Sequence, residues 1–169
     1  SYARARHSAP TNAVPPLGKP AAAPYRLATQ PTLPVTTRRR LIAVARAQAT
    51  VIDYAASGNC RAQHLAGALF VAMAGAPMSH VAYKGSGPAL TGLLGGEIDA
   101  TFTSTITAIP FIKNKQLRGL AVTSAARNPA APDLPSVAEA GYPGFEASSW
   151  LGLMAPAGTP KTIVAQLQQ

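Results

Sequence analysis

The stretch Tyr54-Ala-Ala-Ser57-Gly58-Asn59-Cys60-Arg61-Ala-Gln63-His64 decides the fold. Ile52 and Tyr54 favour a strand. Ser57, Gly58 and Asn59 favour a tight turn and the start of a helix, and Leu65, Leu69 and Phe70 open a helical apolar pattern. The stretch therefore reads as the end of a buried strand, a polar loop and a first helical turn. Such a loop presents free backbone N–H groups at the positive end of a helix dipole, which suits a carboxylate or a phosphate. The same residues also suffice for an ordinary capped helix.

Downstream the pattern repeats. A strand near 79–83 leads to Lys84-Gly85-Ser86-Gly87 and a helix over about 88–95, closed by Gly95-Gly96. A strand over 98–102 precedes Thr103-Ser104-Thr105 and a short helix to Lys113, and a further strand spans 117–123. Strands recur about every 20 residues with helices between them, the signature of βαβ units around a parallel sheet. The fold class is α/β: a doubly wound, mostly parallel sheet with flanking helices. Ligands of such sheets sit beyond the carboxyl ends of the strands. Three loops meet that condition: Ser57 to Cys60, Tyr83 to Gly87, and Thr103 to Thr105.

Upstream, Tyr25 to Ala28 reads as a short strand, and Thr36 or Thr37 caps a helix from about 37 to 47. Leu41, Ile42, Val44 and Ala45 form its buried stripe. Arg38, Arg39, Arg40 and Arg46 are read as its solvated face rather than an anion patch. Residues 1–24 carry Pro10, Pro15, Pro16, Pro20 and Pro24 and show no period, so an irregular arm is expected there. Towards the other end, Ser136 to Ala140 makes a helical turn and Phe145 to Met154 an extended segment. Trp150 within that segment suits a core position or a crossing between domains. A helix through Ile163, Val164 and Leu167 follows and is expected to continue past the last residue.

The 169 residues are 47% apolar and only 12% charged, against a typical charged share of about 25%. The net charge of +9 belongs to the front of the chain: residues 1–48 hold eight bases and no acid. From residue 49 onward, seven bases against six acids leave +1. A basic arm could follow phosphates, yet it lacks aromatic interleaving and no reading module follows it, so no nucleic acid is expected. Cys60 is the single cysteine, which excludes an internal disulfide and a cysteine-based zinc site. No apolar run reaches the roughly 18 residues of a membrane span, and no secretory signal is read at Ser1.

Enzyme motifs are weak. Gly85-Ser86-Gly87 is not a nucleophile elbow, because Lys84 and Pro88 flank it, and no phosphate-binding Gly-x-x-x-x-Gly-Lys loop occurs. His7, His64 and His80 are scattered, and the acids form no cluster for a metal. No cofactor is implied. A small α/β hydrolase would need a histidine within reach of Ser57, Ser86 or Ser104.

A dense, collinear set of segments resembles the tripartite tricarboxylate transporter substrate-binding (Bug) family. They are Tyr54 to Asn59, Gln63-His64-Leu65-Ala66-Gly67, His80 to Leu90, Leu93 to Asp99, Leu120 to Ser124, Leu134 to Gly141, and Ser148-Ser149-Trp150 with Leu153 to Pro160. The resemblance covers about residues 25–169. It implies a periplasmic binding protein of type II-like fold, without enzymatic activity, whose two domains close on a small carboxylated solute. That solute is a di- or tricarboxylate, an amino acid or an aromatic acid, and it is passed to membrane permease subunits of a tripartite tricarboxylate transporter or sensed. Residues 25–155 resemble the second domain and 156–169 the start of the return to a first domain, so half a cleft is expected. The implied ligand-binding residues are Ser57, Gly58, Asn59, Cys60, Arg61, His64, Tyr83, Lys84, Gly85, Thr103 and Ser104. The sequence departs from the family pattern at Cys60, Arg61 and Ala62, where small or hydroxyl residues are usual, and at Thr103, commonly an acid.

Overall fold

The computed structural model describes residues 16–47 and 52–168. Most of the expected arm thus lies outside the described residues. Residues 23–149 form one compact unit, and residues 16–22 and 150–168 belong to another.

The larger unit is built on a sheet of order β3-β2-β4-β1-β5. β2 (Ile52–Ala56) pairs in parallel with β3 (Met78–Ala82) and β4 (Ala100–Ser104). β1 (Pro16–Thr29) runs antiparallel between β4 and β5 (Arg118–Val122). The sheet is thus mostly parallel, with one reversed strand inside it.

Helices cover both faces. On one face α1 (Arg38–Arg46) and α2 (Ala62–Ala74) pack Leu41, Ile42, Ala66 and Phe70 against Tyr54, Phe102 and Leu120. Fully burying a side chain such as Phe70 contributes about 2 kcal/mol. On the other face α3 (Ser86–Gly95) and α4 (Thr105–Lys113) pack Leu90, Leu93, Phe111 and Ile112 against Ala28, Ala55 and Leu117. After β5, Ser136 and Glu139 close a short turn reciprocally. Glu139 N–H donates to Ser136 Oγ at 3.0 Å, and Ser136 N–H donates to Glu139 Oε2 at 3.2 Å.

In the smaller unit, β6 (Ser148–Met154) leads to α5 (Lys161–Leu167). β6 pairs with β1. Trp150 is 60% exposed, so it is not the core aromatic its type suggests.

Three expectations change. Proline content hid the first half of β1, which is strand from Pro16 onward rather than irregular to residue 24. Its ladders with β4 and β5 begin at Tyr25, beyond Pro16, Pro20 and Pro24, so no proline lies in the stretch paired on both sides. β4 ends two residues later than expected, at Ser104, and α4 starts directly at Thr105, leaving no loop. Finally, the arginine run is not one solvated face. Arg38 is buried, with its guanidinium 4.8 Å from the Tyr142 ring centroid and Nη1 donating to the Val137 carbonyl. Arg46 donates to the carbonyls of Ala74 and Gly75 at the end of α2.

Candidate functional site

Because β2 and β3 are parallel neighbours, their carboxyl ends share one sheet edge, and each is followed directly by a loop and a helix. The first loop turns at Gly58 (φ 129) and at Cys60 (φ 56), the latter in a region that non-glycine residues disfavour. The second turns at Gly85 (φ 134), which only glycine adopts readily. The two loops enclose an open cleft of about 520 Å³ lined by Ser57, Gly58, Asn59, Arg61, Tyr83, Lys84, Gly85 and Ser86.

Both helices that start here lack a side-chain cap. The residue preceding α2 is Arg61 and that preceding α3 is Gly85, and neither first turn contains an acid. The N–H groups of Gly58, Asn59, Arg61, Lys84, Gly85 and Ser86 have no hydrogen-bond partner within the described residues. Two dipole ends and a set of free donors therefore meet at one cleft. Arg61 and Lys84 are exposed and neither forms an ion pair with a described residue. A Cβ added at Gly58 would lie 3.7 Å from Arg61 Cγ and Nε, so the arginine side chain folds across the first loop.

Not every amide of the first loop is free. Ser57 N–H donates to Gln63 Oε1 at 3.0 Å, and Gln63 Nε2 donates to Ser86 Oγ at 3.4 Å. The buried Gln63 side chain thus bridges the two lips. It was not among the residues expected from sequence. Its position one helical turn after Ser57-Gly58-Asn59 is the signal that could have marked it, as a first-turn amide able to reach back to the loop.

Cys60 and His64 lie beside the cleft rather than on its lining. Cys60 is exposed, and its N–H donates to His64 Nδ1 at 3.0 Å. His64 stacks on His80 with ring centroids 3.9 Å apart. His80 in turn lies 5.2 Å from the Tyr54 ring, and burial of His80, with His64 second, holds its imidazole below the ordinary value. Tyr83 lines the cleft, yet its hydroxyl donates to Glu97 Oε2 at 3.2 Å. Burial, then that bond and the Glu97 charge, raise the Tyr83 phenol above its ordinary value.

Thr103 and Ser104 are not brought to the lining. The longer β4 places Thr103 opposite Arg26 and Ser104 opposite Tyr25 in the ladder with β1, and Thr103 is buried. Among the described residues, no histidine hydrogen-bonds to Ser57, Ser86 or Ser104.

Relatives reproduce this architecture. BugT of Bordetella pertussis is 39% identical over 142 residues, 83% of this chain and 44% of its own. A solved R. palustris protein with adipate superposes with a TM-score of 0.88 at 37% identity, covering 94% of this chain and 53% of that one. MatC from Rhodopseudomonas palustris, solved with bound malate, gives 0.81 at 27% identity, covering 91% of this chain and 52% of that one. The chain thus spans about half the length of these relatives. Residues 8–169 match the tripartite tricarboxylate transporter family receptor, TctC, and the chain belongs to that family.

Proposed function

We propose that residues 25–155 form one half of a periplasmic solute-binding protein and that the cleft at Ser57–Arg61 and Tyr83–Ser86 receives a carboxylate of a small metabolite. One observation carries this reading. Two helices without side-chain caps or first-turn acids open onto the same cleft, beside Arg61 and Lys84, neither ion-paired with a described residue. A carboxylate accepting from Gly58, Asn59 and Arg61 amides would replace the water those donors otherwise need. Charge-assisted bonds of this kind are roughly twice as strong as neutral ones. The adipate and malate of the solved relatives support a carboxylated solute.

On this reading the protein performs no chemistry on its ligand. It hands the solute to permease subunits of a tripartite tricarboxylate transporter, and residues 156–169 begin the return to a first domain that supplies the opposite lip. Cys60, His64, Thr103 and Ser104 act around the ligand rather than on it.

Calorimetry with di- and tricarboxylates, amino acids and aromatic acids tests the proposal, on the chain alone and joined to the complementary half of a longer relative. The joined protein is expected to bind at least one carboxylate and the chain alone only weakly. The absence of binding by every carboxylate in the joined protein would sink the reading.

A further inference from the structure

We propose that His64 is a proton-sensitive latch on the loop Ser57–Arg61, closed while its imidazole is neutral and released when it gains a proton. The bond that defines the latch is Cys60 N–H donating to His64 Nδ1 at 3.0 Å. A backbone N–H only donates, so Nδ1 is the unprotonated nitrogen and the ring proton sits on Nε2. The lone pair that holds Cys60 is therefore the only basic site on the ring. Protonation of His64 and retention of this bond are mutually exclusive.

The loop depends on that bond. Cys60 has a left-handed backbone (φ 56), a strained choice for a residue with a Cβ. Its N–H has no other partner among the described residues. Without the bond, Cys60 relaxes towards ordinary negative φ, and the adjoining amides of Asn59 and Arg61 change their aim. Those amides have no partner among the described residues.

The surroundings penalise a charge on His80. From β3, His80 stacks on His64 at 3.9 Å and 15°, and from β2 the Tyr54 ring lies 5.2 Å from His80. The loop contributes the Cys60 thiol and the Arg61 guanidinium. No carboxylate among the described residues bonds to either ring. His80 Nε2 is buried without a partner among the described residues, so a charge there would be neither solvated nor paired by them. Burial, and then His64, already hold the His80 imidazole below its ordinary value. Imidazoles change charge between about pH 5 and 8, so the latch opens on acidification.

The consequence for solute capture rests on the proposed carboxylate role, whereas the latch itself does not. Proton–nitrogen NMR spectra of the full chain between pH 8 and 5 provide the test. The Cys60 amide and the His64 ring resonances are expected to move together with one midpoint. Affinity for malate, as the probe, is expected to fall about fivefold over the same interval, the size of one lost hydrogen bond. His64→Gln offers a side-chain carbonyl that accepts from Cys60 without titrating, and should flatten both profiles. A Cys60 amide that stays put while His64 titrates overturns the proposal. So does an unchanged pH profile in His64→Gln. If malate binds at no pH, the paired resonances alone decide the latch, and the carboxylate reading is decided by the other carboxylates in the joined protein.

Discussion

The start of α1 and the starts of α2 and α3 solve the same problem in opposite ways. Every helix begins with orphan N–H groups. At α1 the Thr37 side chain accepts from Arg40 N–H at 3.2 Å, and the helix is closed. At α2 and α3 no side chain caps the first turn, although Ser57 and Asn59 precede α2 and Ser86 opens α3. α2 is not neglected elsewhere, since its far end is closed by Gly75 in the left-handed conformation and by Arg46. Side-chain caps contribute about 1 kcal/mol each. α4 and α5 also begin without a side-chain cap, so what sets α2 and α3 apart is that both open starts adjoin one cleft.

The comparison can be broken most severely through Gly67. A Cβ there would come within 2.7 Å of Tyr54 Cζ, so α2 must move off the sheet. Gly67→Ala is expected to lower stability by about 3 kcal/mol in urea unfolding, the upper range for overpacking. A loss below about 0.5 kcal/mol, the usual range for surface changes, would show that the contact is looser than described.

Next in size is the bridge. Gln63→Leu leaves Ser57 N–H unsatisfied, costing about 2 kcal/mol, and releases the two lips from each other. Unfolding measurements should show that loss together with weaker carboxylate binding. Unchanged binding in a folded Gln63→Leu protein would refute its bridging role.

A cap exchange sharpens the contrast. Arg61→Asp installs a cap at α2 and should raise stability by about 1 kcal/mol. The same change should weaken carboxylate binding at least about tenfold, because it fills a donor and reverses a charge. Thr37→Ala should lower stability by about 1 kcal/mol and leave binding untouched. Equal effects of both variants on binding would erase the distinction between the helix starts.

The smallest effect is in pH. The His80 imidazole is depressed in the folded chain, by burial first and His64 second. The unfolded state therefore binds more protons than the folded one between the two values. Stability is full above the ordinary imidazole value of about 6.5 and declines as pH falls below it. His80→Phe should remove that decline in thermal unfolding monitored from pH 7.5 to 5; a decline of the same size in the variant would assign it elsewhere.

The sequence was informative where one local rule acts alone. The α2 helix over 62–74 and the turns at Gly58 and Gly85 follow from apolar period and glycine placement, and both turns reach the cleft. It was misleading where partners far along the chain decide. Proline spacing suggested an irregular arm to residue 24, but β1 keeps its prolines outside the ladders with β4 and β5. Thr103 looked like a loop residue, yet pairing with Arg26 on a reversed strand draws it into the sheet. Arg38 looked solvated, and only the distant Val137 and Tyr142 explain its burial. Gln63 was invisible as a bridge because its second partner, Ser86, lies on the next βα unit.

That glutamine also acts as a ruler. Its amide touches Ser57 on one side and Ser86 on the other, so the gap between the lips equals the span of one planar amide and its hydrogen bonds. An amide cannot stretch, and the shorter asparagine at 63 would fall short of both serines. The aperture on this side is thus set by covalent geometry. On the proposed reading, a facing domain that closes on a solute would press it against two lips whose spacing this one amide holds.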